Sequence, residues 1–214
     1  MVATRILHRL ARRVPHYLIV ASALTCMVCA QEPPVARTPV MGWSSWNHFT
    51  CRVNGAIFRA QADALIATGM SKLGYQHVIV DDCWQGERDS RGRIHPNSKF
   101  PDMRGLAGYV HSKRMKFGIY SSPGPKTLAG FEGSFGHETK DAQTYAEWGV
   151  DWLKYDLCSF QGDRDAQIAA YRRMHEALQK TDREIVYAFS SMGRTACGHG
   201  VPRWEVTSGG PPVT

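Results

Sequence analysis

The sequence has no apolar run long enough to cross a membrane comfortably. The longest, from Tyr17 to Ala30, is 14 residues, where a spanning helix needs about 20. No internal repeat or low-complexity stretch appears, which excludes solenoid and fibrous architectures. No glycine-rich phosphate turn follows the first strand candidate, which argues against a dinucleotide-binding open sheet. A concentrated basic surface is missing too. Of the formal charge of +7, four units come from Arg5, Arg9, Arg12 and Arg13 in a segment without acids. The remaining excess is small and scattered, so neither nucleic acid nor a membrane surface is an expected partner.

Residues 1–30 themselves have the pattern of an export signal: an arginine-rich start, the short apolar run, and small residues before Gln31. Cleavage after Ala30 leaves 31–214 as the folded domain, secreted or periplasmic and free of the membrane. A twin-arginine signal at Arg12-Arg13 and an uncleaved anchor are the alternatives. The export context turns Cys51, Cys83, Cys158 and Cys197 into candidates for disulfides. Their wide spacing does not resemble a zinc site.

Along the chain, strands alternate with helices and the long loops follow the strands. Strand candidates are Val40 to Trp46, Tyr75 to Val80, Phe117 to Tyr120, Val150 to Asp156 and Glu184 to Phe189. Between them, Asn54 caps a helix to about Thr68, with Ile57, Ala60, Ala64 and Leu65 as its buried face. Further helices run from Leu106 to Lys113, from about Glu138 to Trp148, and through Ile168, Tyr171, Met174 and Leu178. Gln85 to Phe100 reads as a polar loop. This α/β alternation predicts a parallel sheet with helices outside it. A (β/α)8 barrel is favoured, and the length accounts for about its first five units, incomplete at the C-terminus.

Polar residues gather at three strand ends. Val150 to Asp156 is a buried strand that ends in Lys154 and Asp156, charges that must be paired or used there. A structural ion pair between them is the competing reading. Vicinal Asp81 and Asp82 end the second strand and point in different directions. Beside Trp84 they suit polyol binding, with carboxylates accepting from hydroxyls and an indole covering a sugar face. A metal there is the weaker alternative, because no histidine or third acid stands at ligand spacing. Trp148 and Trp152 read as core.

The segments Met41-Gly42-Trp43-Ser44-Ser45-Trp46-Asn47, Val80-Asp81-Asp82-Cys83-Trp84, Gly118-Ile119-Tyr120-Ser121, Gly133-Ser134-Phe135-Gly136-His137-Glu138 and Leu153-Lys154-Tyr155-Asp156 resemble, in order, the glycoside hydrolase family 27 α-galactosidases. The resemblance implies a retaining exo-glycosidase that removes terminal α-linked galactose without a cofactor or metal. By position Asp156 is then the catalytic nucleophile, with Lys154 alongside it on the sugar. Asp81 and Asp82 bind the 4- and 6-hydroxyls, and Trp43, Trp84 and Tyr120 line the pocket. The resemblance also implies a Cys51–Cys83 disulfide, and it leaves homo-oligomers open.

The pattern is broken in places. The acid/base aspartate of the family follows its sixth strand, and the chain reaches only Trp204 and Gly209-Gly210 on the approach to it. Glu205 is near in sequence but has no family role. A truncated enzyme, an inactive galactoside binder and an α-N-acetylgalactosaminidase therefore all remain open, the last because Ser191 would leave room for an acetamido group. Leu128 stands where the family has the disulfide partner of Cys158. Arg114 and Asp182 stand where helix-ending glycines are expected, at about 1 kcal/mol each if held at positive φ.

Overall fold

Five parallel strands hydrogen-bond in the order in which the chain makes them. The computed structural model describes residues 39–190. The export segment, Ser191, Cys197, Trp204 and Glu205 lie outside the described residues. The strands are β1 (Gly42–Ser44), β2 (His77–Val80), β5 (Lys116–Ser121), β6 (Trp152–Asp156) and β7 (Val186–Ser190), in the sheet order β1-β2-β5-β6-β7. All four pairings are parallel. A doubly wound open sheet reverses its strand order at a switch point. This sheet has no reversal, as the barrel reading requires, and it contains five strands, as the sequence predicts.

The helices that return the chain are α2 (Gly55–Ala67), α3 (Met103–Ser112), α4 (Glu138–Trp148) and α5 (Arg164–Gln179), with a single turn, α1 (Trp46–Phe49), after β1. Asn54 caps α2 by accepting from the Ile57 amide at 3.1 Å. Gly149 ends α4 at φ 85°, a left-handed conformation that glycine adopts without a Cβ clash. The buried face of α2 is Phe58, Ala62 and Leu65; of the predicted stripe Ile57, Ala60, Ala64 and Leu65, only Leu65 lies on it. Phe58 is the largest apolar residue on the helix, and its ring docks 5.4 Å from Trp43 and 5.6 Å from Phe100, which turns the helix by about one residue.

Strand alternation divides the sheet into two surfaces. Val78, Val80, Phe117, Ile119, Leu153 and Tyr155 join the helices in one buried core. Ile79, Gly118, Tyr120, Trp152, Lys154 and Asp156 occupy the alternate positions on the opposite surface. This places Lys154 and Asp156 together and separates them from Tyr155, which packs against Tyr171 and Tyr187.

Gln85 to Phe100 is more ordered than a polar loop. It holds an antiparallel hairpin, β3 (Gln85–Arg88) and β4 (Ile94–Pro96). Arg88 fastens it, donating to both Asp141 oxygens (2.7 and 2.8 Å), to the Gly92 carbonyl and to the Gly133 carbonyl. Arg114 has φ 57° as anticipated, whereas Asp182 is not at positive φ. The chain after α5 bends through Lys180 at φ −88° instead, so no strain arises at Asp182.

Candidate active site

The site is built from the outgoing ends of β1, β2, β5 and β6, where a parallel sheet leaves backbone free to turn and side chains free to project. Asp81, directly after β2, is held by four neighbours. Its Oδ2 accepts from Ser44 Oγ (3.0 Å) and Lys154 Nζ (2.9 Å), and its Oδ1 from the Asp82 amide (2.9 Å), while its own amide donates to Ser45 Oγ. Asp82 turns the other way, as adjacent strand residues do. Its Oδ1 accepts from the Cys83 amide (2.7 Å) and its Oδ2 from the Ala129 amide (2.8 Å). Burial outweighs these amides and pushes the Asp82 carboxyl above the usual aspartate range, with the neighbouring Asp81 charge adding to the rise.

Lys154 therefore pairs with Asp81, not with Asp156 as the simplest ion-pair reading of the strand implied. Lys154 reaches Asp81 across the end of β5, which lies between their two strands, and its Nζ stands 5.0 Å from the centre of the Tyr120 ring on that strand. Tyr120 is buried beneath it. Burial and the contact of its hydroxyl with Cys158 Sγ at 3.3 Å raise its pKa far beyond the ordinary phenol. Asp156 is 4% exposed, and its Oδ1 has no hydrogen-bond partner among the described residues. A buried carboxylate oxygen without a donor is costly, and it is also an oxygen free to react.

Two of the expected pocket residues turn away. Trp43 faces the helices, its ring edge-on to Phe49 and Phe58, and strand alternation gives the site Ser44 instead. Trp84 is fully buried, donates Nε1–H to the Tyr120 carbonyl (2.8 Å) and packs against Tyr145 and Trp148. It has no face left for a sugar. Its role is to brace β2 against β5. Ser44 and the Ala129 amide are the contributors that sequence reading missed. The former was legible from the period of two, the latter not, since loop geometry delivers it.

Cys51 and Cys83 form the expected disulfide. Cys83 adopts φ 79° although it is not glycine. Replacing both cysteines with alanine is expected to lower stability by about 3 to 4 kcal/mol for a closed loop of this size, read by chemical denaturation. Cys158 is a free, buried thiol, and Leu128 is exposed. Among the described residues no group of histidines, cysteines and acids could hold a metal ion.

This constellation can be compared with known proteins. The family model described as Alpha galactosidase A (Melibiase_2) matches residues 38–195. The chain belongs to the melibiase family, glycoside hydrolase family 27. Among melibiase relatives, the Alpha-galactosidase A of Cellvibrio japonicus is 44% identical over 179 residues, covering 82% of this chain and 44% of the relative. The Alpha-galactosidase of Oryza sativa subsp. japonica is 46% identical over 169 residues, covering 77% and 40%. The solved α-galactosidase of Saccharomyces cerevisiae with raffinose superposes with a TM-score of 0.71 at 38% identity, over 73% of this chain and 36% of that one. Such structural neighbours are barrels, and the sheet described above is part of one. The chain spans less than half the length of these melibiase relatives.

Proposed function

We propose that this chain supplies the nucleophile and the galactose-binding wall of a retaining exo-α-galactosidase. The observation that carries the reading is the buried Oδ1 of Asp156, without a partner among the described residues, on the same surface as the Lys154–Asp81 pair. In this reading the free oxygen attacks the anomeric carbon of a terminal α-galactoside, the aglycone leaves, and water releases galactose from the covalent intermediate. Asp81 and Asp82 accept hydrogen bonds from the ring hydroxyls. Because protein donors already fix both carboxylates, they present preset lone pairs to the sugar and need little reorganisation on binding. Lys154 fixes the orientation of Asp81 through their ion pair, and Tyr120 seats Lys154.

The second carboxyl of a retaining mechanism lies about 5 to 5.5 Å from the nucleophile. The resemblance assigns it to a segment outside the described residues. A substrate that needs little acid assistance isolates the contribution of this chain. With an aryl α-galactoside carrying a good leaving group, the expected result is a burst of about one aryl group per chain. Saturable galactose binding without release would instead mark a non-catalytic binder, and a burst only with the aryl α-N-acetylgalactosaminide would move the substrate to that sugar. Export to an oxidising compartment belongs to the same reading and is supported by the Cys51–Cys83 bond. No helix among the described residues is long and apolar enough to cross a membrane.

The raised pKa of Asp82 gives this reading a pH signature. A hydroxyl donates to the ionised carboxylate, and protonation removes that acceptor. Galactose affinity is therefore expected to fall on acidification, beginning at a pH above the ordinary aspartate range. Calorimetric titration from neutral pH downward checks it, and Asp82→Asn is expected to flatten the profile.

A further inference from the structure

Two serines join the loop after β5 to the segment after β6, and neither has a part in the site described so far. Ser122 Oγ donates to the Cys158 carbonyl (3.0 Å) and accepts from the Cys158 and Gly124 amides (3.2 and 3.1 Å). Ser159 Oγ donates to the Lys126 carbonyl (2.6 Å) and accepts from the Lys126 amide (2.8 Å). The two segments run so close that a Cβ on Gly124 would lie 1.9 Å from the Cys158 carbonyl oxygen. Ser159 is held at φ 49°, a left-handed conformation that a non-glycine residue keeps only where its surroundings enforce it.

What lies on either side of this seam gives it meaning. Two residues before Cys158 is Asp156. Just after Lys126 the chain makes a tight turn, with the Thr127 amide on the Phe131 carbonyl (2.9 Å) and the Gly130 amide on the Thr127 carbonyl (3.1 Å). That turn presents the Ala129 amide to Asp82 Oδ2. A continuous path of short contacts thus runs from Asp156, through Ser159 and Ser122, to Asp82. Because Cys158 is a free thiol, no covalent bond through it reinforces the path.

We propose that Ser122 and Ser159 are positioning residues that hold the nucleophile Asp156 and the hydroxyl acceptor Asp82 in register. The proposal rests on the galactoside reading for its substrate. One sugar ring must meet both carboxylates at once, and a misplacement of about 1 Å between reacting groups can cost on the order of a hundredfold in rate.

The test uses the full chain with Ser159→Ala, Ser159→Gly and Ser122→Ala. Glycine matters at 159 because it removes the hydroxyl while suiting the left-handed backbone. Three quantities are read: amide hydrogen exchange at Ala129, the Kd of galactose by calorimetry, and the rate constant of the aryl burst. Each alanine variant and Ser159→Gly is expected to speed Ala129 exchange and weaken galactose roughly five- to tenfold, with a slower burst and unchanged protection in β2 and β5. Ala129 exchange and galactose affinity equal to wild type would overturn the proposal. So would uniform loss of protection across β5 and β6, the mark of a purely structural role. If the wild-type chain neither binds galactose nor releases aryl groups, the galactoside reading falls, and the local exchange contrast at Ala129 alone decides the positioning.

Discussion

Replacing Asp156 with Asn is expected to abolish the burst of aryl release, lowering its rate by roughly ten-thousand-fold or more. The amide has the shape of the carboxylate but no nucleophilic oxygen, so binding and chemistry separate cleanly. Galactose should still bind, because Asp81, Asp82 and Lys154 keep their bonds to one another and to Ser44, Cys83 and Ala129. Folding should survive as well. The Oδ1 of Asp156 has no hydrogen-bond partner among the described residues, and a neutral amide is less costly to bury than an ionised carboxylate. Rapid-mix kinetics with the aryl galactoside, calorimetry and a thermal melt form one decisive set. A full-size burst from Asp156→Asn would remove Asp156 from the chemistry and leave the cluster as a binding site.

The largest effect on stability is expected far from Asp156. Arg88→Ala should cost about 3 to 5 kcal/mol, because it leaves Asp141 buried with its charge uncompensated. A domain of this kind has only about 5 to 15 kcal/mol in total, so the variant should be largely unfolded at modest urea concentrations. The same side chain also satisfies the Gly92 and Gly133 carbonyls, which ties the β3–β4 hairpin to the loop after β5. Burial already pushes the Asp141 carboxyl above its usual range even with Arg88 present. In Arg88→Ala the remaining stability should therefore be greatest at acid pH and fall as pH rises through the elevated pKa, since ionisation is then opposed in the folded state alone. Urea denaturation at several pH values reads both the size and the sign.

Some of this was legible before any coordinates. The alternation of strand and helix, the Asn54 cap, and the charged end of β6 follow from local rules of spacing and capping that act within a few residues. Five strands in sequence order follow from the absence of a phosphate turn and the regular placement of loops. The failures share a different cause. The competing ion-pair reading joined Lys154 to Asp156 because they are two residues apart, whereas its partner Asp81 is 73 residues away, at the end of another strand. Trp43 was placed in the pocket by the family resemblance, although the alternation of its own strand turns it toward α2. The β3–β4 hairpin was invisible because Gln85-Gly86-Glu87-Arg88 has no apolar alternation. Its register is set by Arg88 reaching Asp141, 53 residues on. Long-range polar contacts leave no periodic trace in the chain that makes them.

The turn at Cys83 carries a last consequence. That residue must supply a sulfur to Cys51 and also hold a left-handed backbone that favours glycine. No single substitution satisfies both demands: glycine relaxes the backbone but severs the bridge, and serine severs the bridge while keeping the strain. The Cys83 amide is one of the donors that orient Asp82, so the acceptor takes part of its aim from a residue in the disulfide. In the galactoside reading, the reduced chain is therefore expected to keep its parallel sheet, held by apolar contacts, but to bind galactose more weakly than the oxidised one, which calorimetry with and without reductant reads.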